Sequence, residues 1–358
     1  MTSISANWLK PAAIKFDFVT QTTLHLVGST TTELLDELSL LYARDCLAVT
    51  NSLHEAVIVH VDPDGSWRLV RSLDADELDA APALTAAQMM GVVEEMTIDA
   101  VVPQMFCVPG MTTYRSIWEV LGIPVVGNRG AVMALAANKA WTRAVLGAAD
   151  IAVPAGQIAE RSDSPTCTLP VVVKPVDADN SAGVSLVRNE AELAPALEEA
   201  WRWSQRALIE TLIPAGREVR CGILDLGGSL QCLPIEEYAL NPDEPVRKAN
   251  AKLGRQGDGS LQLMAKNTDV AWMVDPDDPL NTVVSAVAKA CHRALGCRDH
   301  SLWDIRVDPE GRPWVLEASL YCSFARQSVI SMMSAAAGIE LEELFARSVA
   351  EAVKRGPR

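Results

Sequence analysis

Two carboxylates and a short series of lysines carry the chemistry this sequence suggests. In WDIRVDPEGRPWVLEAS (303–319) the tight turn DPEGRP joins two strand-like runs, so Asp304 and Glu317 fall on neighbouring strands and interrupt the apolar alternation of the inward face. A carboxylate aimed into a sheet interior is costly unless a cation meets it. Hard oxygen donors without a nearby histidine or thiolate favour Mg2+ bridging phosphate oxygens, with Mn2+ as the other candidate. The same pair also reads as strand acids neutralised by Arg306. Lys174 closes the strand VVVK just before Pro175 and the polar turn DADNSAG (177–183), which contains Ser181; this placement aims an ammonium and backbone N–H groups at an anion. Lys139 sits at a helix start. Taken singly, each lysine reads as a surface charge; with the carboxylate pair and IETLIPAGREVR (209–220) they outline a triphosphate site, metal on one side and lysines on the other.

Other common signatures are absent. There is no Gly-Lys dipeptide for a Walker A loop, no GxGxxG after a strand and no GxSxG elbow. His54 and His60 lie six apart on a strand pattern, so they cannot share a helical face as a zinc protease requires, and they read as ordinary strand histidines.

The elements that position these residues follow from periodicity. A strand at 24–28, a helix from 32 to 51, a strand at 56–61, a helix near 85–96, a strand at 98–103, a helix near 113–121 and a short strand IPVVG at 123–127 alternate as in a doubly wound parallel sheet. The turn DPDG at 62–65 has its mechanism in Pro, Asp and Gly. Past Asn138 comes a mixed unit, with a helix toward Ala149, strands at 169–175 and 184–187, a helix from 190 to 204, and the runs 207–213 and 216–226. A last unit begins near Pro234; its polar, Gly-rich stretch 248–262 reads as a mobile loop, followed by a helix over 279–295, the hairpin around the turn DPEGRP and a closing helix from about 327. The expected divisions are an N-terminal extension (1–23), an N-terminal unit (24–137), a central unit (138–233) and a C-terminal unit (234–358).

Composition bounds the reading. A chain of 358 residues, 49% hydrophobic and 22% charged, has material for more than one core, and disorder or a fibrous architecture is excluded. A net charge of −15 repels phosphate backbones and anionic lipid, so neither a nucleic acid nor a membrane surface is an expected partner. The eight cysteines form no Cys-x-x-Cys pair and read as buried thiols. With no signal-peptide core and no run of about 18 apolar residues, a cytoplasmic setting is expected.

The motifs, in order, resemble the ATP-grasp ligases, in the branch similar to D-alanine–D-alanine ligase. The stretches that carry the likeness are LGIPVVGN, NKAWTRAVLGAADIAVP, PVVVKP, DNSAGVSLV, ALIETLIPAGREV, a lysine-bearing loop and ALGCRDHSLWDIRVDPEGRPWVLEAS, spanning roughly residues 24–350. The resemblance implies an α/β chain, α+β in its central unit, that grips ATP between the central and C-terminal units and performs ADP-forming carbon–nitrogen ligation. It also implies roles. Lys139 and Lys174 would hold ATP phosphates, Glu210 and the backbone to Ile213 the adenine, and Glu218 the ribose. Lys252 would be the phosphate-contacting lysine of the mobile loop. Asp304 and Glu317 would hold Mg2+, and Ser328 would receive the acceptor amino acid's carboxylate. A homodimer formed through the N-terminal unit is the family expectation.

Three departures narrow the likeness. The family's asparagine two residues after the metal-binding Glu is Ser319, its reaction-centre arginine two residues before the metal Asp is Leu302, and PQMFCVPGMTTYR (103–115) stands where the first D-alanine would bind. Arg306 is one candidate for the missing charge, and also for a structural partner of Glu317; Arg220 and Arg326 read as solvated charges or as contacts for substrate carboxylates. The departing stretches, with HLVGS, LYARDCL, GREVRCGI, PIEEYALNP and EASLYCSFARQSVIS, closely resemble the ligases of mycosporine-like amino acid biosynthesis. That likeness implies mycosporine-glycine and an amino acid such as Ser, Thr or Gly as substrates, an imine of the shinorine or porphyra-334 type as product, and Gln104, Ser323 and Ser328 as substrate residues. Two alternatives remain: a D-Ala-D-Ala or L-amino acid dipeptide ligase, and a non-catalytic nucleotide binder on the same fold.

Overall fold

The computed structural model describes residues 21–178, 181–241, 245–246, 253–255, 261–263 and 270–356. Lys252 lies outside the described residues. In the N-terminal unit, β1 (Gln21–Gly28), β2 (His54–Val61), β3 (Trp67–Val70) and β4 (Ala100–Pro103) form one sheet in the order β3-β2-β1-β4. The β2-β1-β4 part is parallel, but β3 runs antiparallel to β2, because the turn at 62–65 reverses the chain onto the sheet edge. A wholly parallel sheet was the expectation, and this hairpin corrects it. The run IPVVG is also no full strand: only Val125 bridges to Val101. Helix α1 (Glu33–Thr50) is capped by Thr32, whose Oγ1 accepts from the Leu35 N–H at 3.2 Å. Helices α2 (Ala75–Ala80), α3 (Ala86–Glu94) and α4 (Arg115–Val120) complete the unit, α4 being entered through a π-turn at Gly110–Tyr114.

Helices α5 (Gly130–Ala137) and α6 (Lys139–Ala148) lead to a four-stranded antiparallel sheet. Its strands β5 (Gly156–Ala159), β6 (Val171–Pro175), β7 (Ser185–Val187) and β8 (Ala207–Thr211) are ordered β5-β8-β6-β7, with α7 (Glu190–Trp201) on one face. Val171, Val173, Ala207 and Ile209 pack there against Ala196, Leu197 and Ala200. Period-two alternation sends Val172, Lys174 and Glu210 to the other face.

Strand β9 (Arg217–Asp225), expected to finish the central unit, instead joins a six-stranded C-terminal sheet. Its order is β14 (Ala271–Met273), β11 (Glu236–Tyr238), β9, β15 (Asp299–Val307), β16 (Pro313–Ser319), with β10 (Gln231–Cys232) pairing β9. The expected cut at 233 therefore runs between strands that are hydrogen-bonded neighbours. On this sheet, too, the faces differ. Val219, Cys221, Ile223, Trp303, Ile305 and Val315 pack against α8 (Leu280–Ala294) and against Met133, Ala136 and Leu146 of α5 and α6. Strands β12 (Leu253–Arg255) and β13 (Leu261–Leu263) pair as a ribbon within the stretch read as a loop. The end of the chain forms two helices rather than one, α9 (Val329–Ala336) and α10 (Leu341–Arg355).

Candidate active site

The polar faces of the central and C-terminal sheets look at each other across a cleft lined by Lys139, Lys174, Ser181, Glu210, Ile213, Glu218, Asp304, Arg306 and Glu317. Each reaches it for a local reason. Asn138 caps α6 by accepting from the Trp141 N–H at 3.0 Å, while the Lys139 backbone N–H donates to the Val176 carbonyl at 2.8 Å. Lys139 is thereby pinned at the first helical position and only 9% exposed. Lys174 leaves the end of β6 on the face that carries Glu210. Ser181 and Gly183, both at positive φ, turn the chain over Pro175; a Cβ on Gly183 would stand 2.8 Å from the Pro175 ring, so glycine is needed there.

Asp304 is in register with Glu317 on β16 and with Arg220 on β9. The register steps from Asp304 opposite Glu317 to Ile305 opposite Val315, so Leu316 is an extra residue, a β-bulge. That insertion lets Val315 face the apolar core and Glu317 the cleft, though strict alternation would send both the same way.

Every carboxylate of the cleft named here meets a cation. The Lys139 ammonium is 3.0 Å from Glu317 and also donates to the Ala178 carbonyl. Lys174 is 2.5 Å from Glu210, which Arg143 approaches to 3.4 Å. Arg220 donates through Nε and Nη2 to the two oxygens of Asp304 at 2.7 and 3.1 Å. Arg306 donates to Glu218 and the Pro245 carbonyl, and reaches the Ile213 carbonyl at 3.3 Å. The Arg306–Glu317 pairing read from the sequence is thus replaced by Arg306–Glu218, their backbones being partners on β15 and β9.

The donor set suits a hard divalent cation. Two carboxylates stand side by side and, among the described residues, no cluster of three or more His, Cys, Asp or Glu forms a cage that could hold a metal unaided. An ion of the Mg2+ type is commonly held in this way, by one or two carboxylates with water and substrate phosphates supplying the rest. Ser319 lies in register with Leu302, two residues beyond Glu317.

Several expected residues are elsewhere. Gln104 is fully buried in the N-terminal unit, where its side-chain nitrogen lies 2.7 Å from His25 Nδ1. Ser328 caps α9, accepting from Ser331, and Ser323 is buried in the segment before it. Arg326 pairs with Asp45 rather than with solvent alone. Arg220, read as a solvated charge, is 9% exposed; burial opposes its charge, but Asp304, Tyr238 and Glu236 outweigh that and raise its pKa. Two partners of the cleft carboxylates carry a legible signal. Arg143 follows Lys139 by four on one helix face, and Arg220 follows Glu218 by two on one strand face. A Ser301–His292–Asp225 line, with 2.8 Å between Ser301 Oγ and His292 Nδ1, looks like a hydrolase triad, but Ser301 is fully buried and also receives the Trp303 indole N–H.

Two sheets facing each other across a charged cleft match the ATP-grasp fold of the solved D-alanine–D-alanine ligases. Residues 157–350 match the family described as "D-ala D-ala ligase C-terminus". The D-alanine–D-alanine ligase of Gloeobacter violaceus is 32% identical over 243 residues, covering 66% of this chain and 75% of the relative. A putative D-alanine–D-lactate ligase of Streptomyces coelicolor is 28% identical over 84% of this chain and 88% of its own length. The solved structure of the VanG D-Ala:D-Ser ligase from Enterococcus faecalis superposes with a TM-score of 0.76 at 20% identity, covering 93% of this chain and 99% of that one. The chain therefore belongs to the D-alanine–D-alanine ligase family. It is an ATP-dependent, ADP-forming carbon–nitrogen ligase. No helix among the described residues is long and apolar enough to cross a membrane.

Proposed function

We propose that this ligase joins the amine of an amino acid such as Ser, Thr or Gly to the ring carbonyl of mycosporine-glycine, giving an imine. The observation that carries the reading is the environment of Leu302. It is 4% exposed in an apolar cluster with Leu233, Phe324, Ile330 and Met333, two residues before Asp304, where the dipeptide ligases place their reaction-centre arginine. A site without that cation suits a first substrate that is not an amino-acid carboxylate. The stretches that resemble the mycosporine ligases, above all 103–115, support the same substrate.

On this reading, ATP lies in the cleft with its phosphates on Lys139 and Lys174, its adenine beside Glu210 and Ile213, and its ribose on Glu218. Asp304 and Glu317 would hold Mg2+, which would neutralise charge on the phosphate oxygens. Loading is an exchange of partners: phosphate replaces Glu317 at Lys139 and Glu210 at Lys174. Transfer of the γ-phosphoryl to the vinylogous carbonyl oxygen asks the protein mainly for positioning and charge neutralisation. The amine then attacks the activated carbon and phosphate leaves.

The test incubates the protein with ATP, Mg2+, mycosporine-glycine and a panel of amino acids. A red shift in ultraviolet absorbance together with ADP release is the expected result for at least one amino acid. ADP released equally without mycosporine-glycine would sink the assignment. The relatives favour a second reading, a dipeptide ligase of the D-Ala-D-Ala type. Phosphate release with D-alanine alone would establish it.

A further inference from the structure

Arg220 is a buried arginine that the reaction described above does not use, and its surroundings are specific. Its guanidinium grips both oxygens of Asp304 side-on, at 2.7 and 3.1 Å, from the strand opposite to Glu317. The Tyr238 ring lies 5.5 Å from its central carbon, and the Tyr238 hydroxyl donates to Glu236, the β11 residue in register with Arg220. Tyr and Glu thus brace the arginine from one side while Asp304 occupies the other. Lys139, by contrast, meets Glu317 through one flexible ammonium.

We propose that Arg220 is a positioning residue that sets the orientation of the Asp304 carboxylate and thereby makes the site selective for Mg2+ over larger divalent ions. An ionised carboxylate accepts at about four positions, so two bonds from Arg220 do not exhaust Asp304. A planar fork bonded to both oxygens fixes the carboxylate plane, which a lysine's single point charge cannot do. Mg2+ demands near-ideal octahedral geometry, whereas Ca2+ tolerates irregular ligand sets. A carboxylate held in one plane therefore favours the smaller ion, and one free to rotate loses that preference. The inference rests on the proposed metal role of Asp304 and Glu317.

The experiment measures binding of Mg2+ and of Ca2+ to the intact protein saturated with a non-hydrolysable ATP analogue, by calorimetry. Arg220→Lys keeps the charge and removes the fork. The expected result is Mg2+ binding weakened roughly tenfold or more, the loss typical when a ligand's outer partner is removed, with Ca2+ binding little changed. Equal weakening of both ions, or of neither, would overturn the proposal. Tyr238→Leu leaves Arg220 in place but removes its brace, and the Mg2+ to Ca2+ ratio should move the same way by a smaller factor. If Arg220→Lys does not fold, an unchanged ratio in Tyr238→Leu overturns the proposal instead. Wild-type protein that binds neither cation with the analogue, or Glu317→Gln that binds Mg2+ normally, would refute the metal reading itself. Normal wild-type binding with unchanged ratios in the variants removes only the role of Arg220.

Discussion

At the junction of the N-terminal and C-terminal units, Cys46, Ala100, Val102 and Val126 share one apolar cluster with Phe324, Ile330, Leu344 and Phe345; at the junction of the central and C-terminal sheets, charge faces charge. The first is a continuous core that also encloses neutral polar groups: His25 and His54 hydrogen-bond ring to ring at 2.9 Å and lie against Phe345, while the ion pairs Asp299–Arg355 and Asp45–Arg326 stand beside it. The second is a set of ion pairs whose attraction is largely offset by desolvation, so it adds little net stability and its partners can be exchanged. One junction holds two units as a single body. The other leaves a place where a polyanion and a cation can enter.

The contrast can be broken from either side. Phe345→Ala should remove about 3–5 kcal/mol of stability, as for large buried aromatics generally, while the folded fraction keeps its kcat; chemical denaturation with activity normalised to folded protein checks both. Unchanged stability would mean that the two units do not share a core. Glu317→Gln should act mainly on turnover, lowering kcat by about a hundredfold or more, equivalent to about 2.7 kcal/mol in the barrier, with a smaller loss of stability than Phe345→Ala because the Lys139 ammonium loses its partner. Turnover at the wild-type rate would remove Glu317 from the metal role.

The buried histidines sharpen the comparison through pH. Burial first, and then the neighbouring His54, lower the pKa of His25 from 6.5 to about 3, so it stays neutral in the folded protein where the unfolded chain takes up a proton. Its contribution is therefore complete above pH 6.5 and is lost as pH falls toward 3. Between pH 6.5 and 5 that amounts to about 2 kcal/mol from this one group, at about 1.4 kcal/mol per unit. Thermal unfolding as a function of pH should show a shallower acid slope in His25→Gln than in wild type; parallel slopes would place the acid sensitivity elsewhere. The smallest effect belongs to neither junction. Arg161 pairs with Glu198 at the surface, 58% and 61% exposed, and Arg161→Ala should cost under about 1 kcal/mol by denaturant midpoint.

Much of the cleft was legible because its residues break a pattern. Asp304 and Glu317 interrupt apolar strands, Lys174 ends one, and Lys139 follows a capping asparagine, so type and spacing alone suggested a phosphate and metal site. The partner of Gln104 is not legible, because a polar residue after a strand reads the same whether it meets a substrate or a buried histidine such as His25. Arg220 was misread because an arginine among apolar neighbours does not reveal that its cross-strand partner is a carboxylate eighty-four positions away. The hairpin at Trp67–Val70 follows from the turn at 62–65, but periodicity over four residues is too short to announce a strand.

By itself the sequence determined the main strands and helices of each unit, the ATP-grasp likeness and the charges that make the cleft, because these depend on residue type and near-neighbour spacing. Three things were decided only in the tertiary structure: the sheet that β9 joins, the partner of each buried arginine, and the direction in which Glu317 points. All three depend on register between strands distant in the chain, and for Glu317 on the single inserted residue Leu316, which re-aims a side chain that alternation would have turned toward the core.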